Sequence, residues 1–387
     1  MSIAVLSAGF RPFFLLAGIW AALAVPIWLT AYVHGYSLRG PLPAVIWHAH
    51  ELVFGFGAAA VAGFMLTAIP NWTGRLPLRG RPLALLAALW ISGRAAMLAS
   101  GAIGAPAAAV ADLAFLSLLI IVVARELIAG RNWRNLPMLA ALSLFLAGNA
   151  LVHLHALDIA YTAGPGNRLG IATLLLLITL VGGRILPSFT RNWLARERPG
   201  SPGPAPWDPV DRIALALAAA GLGAWVAAPE SAAAPWLETL AGLGLAVRLS
   251  RWRGFATLRE PLLFVLHAGY GWLALGLILL GVNGLHPALP AGAAVHALTV
   301  GAIGTMTLAV MTRATLGHTG RPLRADRATS ASYVLITLAA LLRLGAPLAG
   351  ANAVFVSSLA GIAWTAAFAT FTIHYARPLL SNAGSNQ

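Results

Sequence analysis

Two histidines and a glutamate stand at the start of a long uncharged apolar segment. In the run WHAHELVFGFG, His48, His50 and Glu51 directly precede residues that carry no charge up to Ile69. Histidine is the commonest metal ligand of proteins, and it also ligates haem iron. Because ionisable side chains at membrane depth are costly, they are usually retained for function. The run therefore predicts a metal or haem site at the start of this segment.

The spacing of these residues predicts which of them act together. On an α-helix, side chains two residues apart point about 200° apart, so His48 and His50 should serve two different centres. Glu51 follows His48 by three residues and should share its face. It could bind the metal, fix the tautomer of the ring or carry a proton. We therefore take Glu51 as the candidate catalytic residue and His48 as the preferred iron ligand.

Further histidines lie at comparable positions in other apolar segments. His153 and His155 repeat the His-x-His spacing, and His296 begins a later segment as His48 begins the first. His267 lies inside a segment, where a polar group needs a partner. The remaining histidines are interpreted as ordinary interfacial residues: His34, His286, His318 and His374.

Two arginines also lie deep in apolar segments. Arg94 and Arg343 each need a counter-ion there, and the candidates are Asp112, Glu51 or the propionates of a haem. The predicted cofactor-binding residues are His48, His50, His296, His267, Arg94 and Arg343. The predicted metal ligands are His48, His50, His296, His153 and His155.

The composition predicts an all-α, polytopic membrane protein. Of 387 residues, 59% are apolar and 9% are charged, whereas a soluble protein has about 25% charged residues. There is no cysteine, which excludes disulfides, thiolate metal sites and covalently attached c-type haem. Spanning helices need roughly 20 mainly apolar residues. About twelve segments qualify, of which the eighth is short: 12–33, 45–69, 82–102, 105–125, 136–157, 168–188, 210–228, 235–250, 261–283, 290–312, 329–346 and 352–376.

The arginines predict the orientation of these segments. The net charge of +14 comes from arginine alone, and 18 of the 25 arginines lie in loops after even-numbered segments. Loops after odd-numbered segments hold only Arg39 and Arg168. Because positive loops stay in the cytoplasm, both termini should be cytoplasmic and the candidate site periplasmic. The positive charge is thus a topology signal, and we expect no nucleic-acid partner.

The chain reads as one integral membrane domain with an internal repeat. Pro12, Pro137 and Pro261 begin similar segments 125 and 124 residues apart. We predict three diverged four-helix units, about 1–130, 131–255 and 256–387, although chance similarity between apolar stretches is the alternative. A Pro/Gly-rich run at 196–209 is predicted to be a cytoplasmic linker.

Three motifs resemble those of the NnrS family: FRPFF at 10–14, WHAHELVFGF at 47–56 and GFMLTAIPNWTG at 63–74. The resemblance implies a multi-pass protein of the bacterial inner membrane that contains haem and copper and is linked to denitrification and nitrosative stress. It implies copper in addition to haem, and nitric oxide or a related small ligand as partner. The haem should be a non-covalent haem b, because covalent c-type attachment needs cysteines that the chain lacks. A quinol or another electron donor is a further candidate partner, beside the lipid bilayer.

Twelve spans in three arcs, with histidines in spans 2 and 10, also resemble the catalytic subunit of haem–copper oxidases by architecture. The chain departs from that pattern, since span 10 has one histidine where the oxidases have two, and spans 6 and 7 have none. The sequence therefore leaves three functions open. These are a haem-dependent redox enzyme acting on nitric oxide, a transporter of a metal, haem or small anion, and a haem sensor without turnover.

Overall fold

Twelve long helices and the loops that join them make up the part of the chain that the structure describes, which contains no strand. The computed structural model describes residues 4–35, 40–286 and 290–381, so the predicted loop residue Arg39 lies outside the described part. The all-α, polytopic fold predicted from composition is confirmed. The helices are α1 Phe10–His34, α2 Ala44–Thr73, α3 Arg81–Leu98, α4 Ala105–Ala129, α5 Trp133–Ala156, α6 Ala163–Glu197, α7 Pro209–Ala227, α8 Ala234–Ser250, α9 Pro261–Leu285, α10 Gly292–His318, α11 Arg327–Leu348 and α12 Gly350–Leu380.

Helix α8 is the shortest of the twelve. Among the described residues, the other eleven helices have the length and hydropathy of membrane spans. With 17 residues, α8 is about 26 Å long, slightly less than the roughly 30 Å of hydrocarbon in a bilayer. It packs against α7 and α9. The segment that the sequence marks as least secure is therefore a helix, but a marginal span.

The start of α1 and the end of α12 lie together in the structure. The guanidinium of Arg11 donates from one nitrogen to the carbonyl oxygens of Pro378 at 3.1 Å, Leu379 at 3.2 Å and Ser381 at 2.6 Å. An arginine here satisfies carbonyl groups that the end of a helix leaves without partners. The start of α1 and the end of α12 thus lie side by side within unit 1. If the other eleven helices each cross a membrane, these two helix ends lie on the same side only when the number of crossings is even. In that case α8 must cross the membrane as well.

Polar caps fix the loop between α6 and α7. Asp208 Oδ1 accepts a hydrogen bond from the backbone N–H of Val210 at 2.9 Å, which caps the start of α7. Arg251, just after α8, donates to the same carboxylate at 2.8 Å. This hydrogen bond holds the pKa of Asp208 below its usual value.

Three of the long helices contain a π-helical stretch. These stretches are Glu51–Gly57 in α2, Ile178–Gly182 in α6 and Ala297–Gly304 in α10. They fall in the second helix of each predicted four-helix unit, although the repeat itself stays a prediction. A π-helical turn widens the helix and frees carbonyl groups, and such turns are common at functional sites.

The contacts divide the chain into two compact units. Unit 1 is Met1–Thr173, Arg313–Pro322 and Phe368–Gln387, and unit 2 is Leu174–Thr312 and Leu323–Ala367. Unit 1 contains α1 to α5 and the start of α6. Unit 2 contains the rest of α6, α7 to α9 and most of α10 to α12.

Candidate metal centre

A cluster of buried polar side chains lies among α2, α3, α4 and α5 of unit 1. The starts of α2 and α4 lie beside the ends of α3 and α5, so residues near these helix ends meet at one level. No member of the cluster is more than 4% exposed. The buried cluster consists of His50, Glu51, Arg94, Asp112, Asn149 and His153.

The centre of the buried cluster is one carboxylate oxygen, Oδ2 of Asp112. The Nε2 atom of His153 lies 2.9 Å from it, and the Nε2 atom of His50 lies 3.3 Å from it. Asn149 donates from its amide nitrogen to the same oxygen at 2.8 Å, and its carbonyl oxygen lies 2.8 Å from His50 Nε2. Two imidazoles from two helices therefore converge on one carboxylate.

A second carboxylate orients one of these imidazoles. Glu51 Oε1 lies 2.9 Å from Nδ1 of His50. When Nδ1 carries the proton, it donates to Glu51 and leaves the Nε2 lone pair available to a metal ion beside the oxygens of Asn149 and Asp112. Arg94 donates to Glu51 Oε2 at 2.7 Å and also contacts Oδ1 of Asp112. A single guanidinium thus holds both carboxylates in place.

The charges of the buried cluster leave room for a cation. With neutral histidines, the carboxylates of Glu51 and Asp112 carry two negative charges and Arg94 carries one positive charge. An uncompensated charge is expensive in a buried site inside a membrane. A proton on one imidazole or a monovalent metal ion would bring the sum to zero, and a divalent ion would change it to one positive charge.

The donor set matches a first-row metal ion. One ligand atom each from His50, Asp112 and His153 can be chosen so that all three lie within 4.8 Å of one another. Bonds of about 2.1 Å to nitrogen and oxygen place ligand atoms roughly 3–4 Å apart, so the contacts at 2.9 and 3.3 Å need little adjustment. Two imidazoles and a carboxylate suit copper, iron, manganese or zinc.

The same site does not fit a haem. Both ring nitrogens of His50 face oxygen acceptors within 2.9 Å. The rings of His50 and His153 are 5.3 Å apart and edge-to-face, with Asp112 contacting both. A flat macrocycle has no place between them unless these contacts break. The buried cluster is therefore not a site for the haem that the family resemblance implies.

Glycines allow the helices to approach closely around the cluster. A Cβ added to Gly55 would lie 2.7 Å from a terminal nitrogen of Arg94 and 2.8 Å from Nε1 of Trp20. The carbonyl of Gly55, in the π-helical stretch, instead accepts a hydrogen bond from Nε1 of Trp90 at 3.0 Å. A Cβ on Gly93 would lie 3.1 Å from Cα of Asp112. Larger residues at these two positions would displace Arg94 and Asp112 from the contacts they make in the cluster.

The two histidines of the WHAHEL run contact different neighbours, as their spacing predicts. The ring of His48 stacks on Trp28 of α1 with 4.1 Å between centroids, whereas His50 faces α4 and α5. The expectation that Glu51 accompanies His48 differs from the structure, because Glu51 pairs with His50. The reason is that the π-helical stretch begins at Glu51, where the spacing of an ordinary α-helix no longer applies.

The structure does not bring all the predicted ligands into this cluster. His155 is half-buried, and its ring lies 6.1 Å from that of Tyr161. The remaining predicted residues belong to unit 2. His267 shares a 2.9 Å hydrogen bond with Thr190, and His296 donates from Nδ1 to the carbonyl of Gly292 at 2.5 Å. Arg343 of α11 is half-buried.

Unit 2 contains a second buried polar cluster, which sequence reasoning missed. Arg248 is fully buried in α8 and donates to Asp211 at 2.8 Å, to the hydroxyl of Tyr270 at 3.0 Å and to the carbonyl of Thr179 at 3.1 Å. Gly183 makes room for the guanidinium, since a Cβ there would lie 2.2 Å from it. Arg248 is therefore part of a buried ion pair inside a helix. Its position at a helix end hid a structural ion pair.

The family model described as NnrS protein matches residues 4–382 of the chain. The chain belongs to the NnrS family. The assignment made from the three motifs is confirmed, and no individually curated protein matches significantly. In this NnrS chain, the WHAHEL motif supplies His50 and Glu51 to the buried cluster, and α3 to α5 supply the rest.

Proposed function

We propose that this NnrS-family protein holds a transition-metal ion in the buried cluster and acts through it in the bacterial response to nitric oxide. The observation that carries the proposal is the convergence of His50 Nε2 and His153 Nε2 on Asp112 Oδ2, at 3.3 and 2.9 Å, inside a membrane bundle. Family membership supports the link to nitric oxide. Copper is the favoured ion, because the family resemblance implies it and the imidazole donors suit it.

Each member of the cluster has a role in this proposal. His50, His153 and Asp112 are the ligands. Glu51 acts through His50, because it accepts the Nδ1 proton and so keeps Nε2 free to bind. Arg94 holds Glu51 and Asp112 apart from each other and balances part of their charge.

The ion, when bound, would supply a position at which nitric oxide can bind and exchange an electron. The chain itself excludes water from that position, since every member of the cluster is buried. It also places a permanent cation, Arg94, in contact with both carboxylates. Whether nitric oxide is turned over or only captured depends on an electron donor, for which a quinol remains the candidate.

We place the protein in the bacterial inner membrane with both termini in the cytoplasm. The arginine distribution supports this orientation. The contact of Arg11 with the end of α12 supports an even number of crossings. In this orientation the buried cluster lies near the periplasmic ends of α2 to α5, where a small uncharged ligand needs to cross little of the bilayer.

A non-covalent haem b remains part of the proposal, and His48 of unit 1 and His296 of unit 2 are each a candidate ligand. Arg343 and His267 are the other cofactor-binding candidates outside the buried cluster. A pyridine haemochrome assay on protein expressed with sufficient haem tests this directly. Haem-free protein that still binds metal in the buried cluster would leave the metal proposal intact and remove the haem.

A membrane transporter of a metal or small anion is the second candidate. The π-helical stretches in α2, α6 and α10 and the buried ion pairs are features that transporters also use. A haem sensor without turnover is the third.

A nitric oxide electrode separates these functions. Metal-loaded protein with a reductant should bind or consume nitric oxide, and the His50→Ala variant should not. If nitric oxide is ignored but the ion exchanges across proteoliposomes, the transporter is the better description.

A further inference from the structure

A cavity of about 610 Å³ opens at the other end of the helices that carry the buried cluster. It lies in unit 1, between the loop that follows α2 and the end of α4. Asp112 of the cluster and Glu126 of the cavity are both on α4, 14 residues and about 21 Å apart. The cavity is thus a separate feature, at the end that the arginine pattern marks as cytoplasmic.

The cavity has an excess of positive charge. Its charged lining consists of Arg75, Arg79, Arg125 and Glu126, which sum to two positive charges. Glu126 is 7% exposed and accepts from Arg75 Nε at 2.5 Å and from Arg125 at 2.6 and 3.0 Å. Two guanidinium groups are thereby fixed at the cavity wall, each with further N–H groups to offer.

Arg79 differs from the other two arginines. It is exposed, and among the described residues no carboxylate forms an ion pair with it. Its guanidinium therefore adds a positive charge to the cavity that no described carboxylate pairs with. Arginine forks match the oxygens of phosphate groups and bind them through paired hydrogen bonds.

The apolar part of the lining indicates where such a phosphate comes from. Leu76 lines the same cavity and is 81% exposed, as expected of a side chain that meets lipid. We propose that this cavity binds a phosphate-bearing anion, with the headgroup of an anionic phospholipid as the favoured source. Basic pockets at the cytoplasmic ends of membrane helices are suited to such headgroups.

Arginines at this membrane face need no binding site to explain them, since orientation alone favours them there. Two observations go beyond that explanation. The buried carboxylate of Glu126 fixes Arg75 and Arg125 side by side, whereas a snorkelling arginine has no fixed partner. The fixed pair also borders a cavity large enough for a headgroup.

The test compares Arg79→Gln and Arg125→Gln with a matched control, Arg321→Gln. Arg321 is an exposed arginine in the loop before α11, on the same predicted face, and is not part of the cavity lining. In the first arm, full-length protein is taken from mixed micelles of phosphatidylglycerol and phosphatidylcholine, and native mass spectrometry counts bound phosphatidylglycerol. In the second arm, thermal unfolding in phosphatidylcholine micelles is measured with and without inorganic phosphate.

Each cavity variant should retain phosphatidylglycerol about fivefold less than wild type, while Arg321→Gln retains it normally. In the second arm, inorganic phosphate should not change the unfolding temperature of wild type or of any variant. If phosphate raises the unfolding temperature of wild type and the control but not of the cavity variants, the cavity takes free phosphate. If the cavity variants match Arg321→Gln in both arms, the arginines act only as general surface charge and the proposal is overturned. Unfolding in pure phosphatidylcholine shows that each variant is folded.

Discussion

His50 and His153, from helices α2 and α5, direct their Nε2 atoms at the same oxygen, Oδ2 of Asp112, at 3.3 and 2.9 Å. The two residues are 103 positions apart in the sequence, and their convergence depends on the antiparallel packing of four helices. Hydrogen bonds from Asn149 and the ion pairs of Arg94 leave little freedom in the position of that oxygen.

Replacing His50 and replacing His48, the two histidines of the WHAHEL run, should have different effects. His50→Ala should abolish metal binding in the buried cluster, because it deletes one of two imidazole ligands. His48→Ala should leave the metal content of the buried cluster unchanged. It should disturb only the stacking on Trp28 and any haem iron that His48 ligates. Metal analysis and optical spectra of both variants check this. Equal loss of metal in both would contradict the assignment of His50.

Arg94 should be the most costly residue of the cluster to neutralise. Arg94→Met leaves Glu51 and Asp112 buried without their cation, which should lower the free energy of unfolding by about 3–5 kcal/mol. In the double variant with Glu51→Gln the loss should be smaller than the sum of the two single losses, since one of the repelling charges is gone. Denaturant unfolding in detergent measures this cycle. Strict additivity would show that Arg94 and Glu51 are not coupled.

Gly55 should tolerate no side chain. In Gly55→Ala the new Cβ would meet Arg94 at 2.7 Å and Trp20 at 2.8 Å. Arg94 cannot move aside without breaking its contacts with Glu51 and Asp112, so we expect a loss of about 1–3 kcal/mol and weaker metal binding. Gly223→Ala in α7 is the matched control, because a Cβ there meets no atom within 4 Å. If Gly55→Ala behaves like Gly223→Ala, the packing around the cluster is looser than described.

The sequence predicts the helical fold well, because apolar length and charge pattern alone define membrane helices. It also predicts that His50, Glu51, Arg94 and His153 are candidates, since each carries a polar group into an apolar segment. It could not predict that they meet. The spacing of an α-helix predicts that Glu51 shares a face with His48, whereas Glu51 pairs with His50 in the structure. The π-helical stretch that starts at Glu51 changes the local periodicity.

Other members of the site leave a weaker signal in the sequence. Asp112 was named only as a counter-ion for Arg94, and Asn149 was not singled out. A lone amide in an apolar helix is a faint signal, and its role depends on contacts with α2 and α4 that arise only on packing. The burial of Arg248 was hidden for the same reason, since its partners Asp211 and Tyr270 lie on two other helices.

Topology reporters test the orientation and the role of α8. A reporter within 196–209 or at the C-terminus should report the cytoplasm, and one after Arg39 or within 284–289 should report the periplasm. These positions flank α8 on both sides, so they decide whether this 17-residue helix crosses the membrane. A cytoplasmic signal at 196–209 with a periplasmic C-terminus would mean eleven crossings, and the meeting of Arg11 with the end of α12 would need another explanation.

The most direct test of the central claim is the metal content of purified protein after loading and removal of weakly bound ions. We predict about one transition-metal ion per chain, with nitrogen and oxygen neighbours at about 2.0–2.2 Å by X-ray absorption. His153→Ala should lose the ion, whereas His155→Ala should keep it. Of these two histidines, His153 is the one that contacts Asp112. Wild-type protein that retains no copper, iron, manganese or zinc, or that loses the ion equally in both variants, would contradict a metal centre at His50, Asp112 and His153.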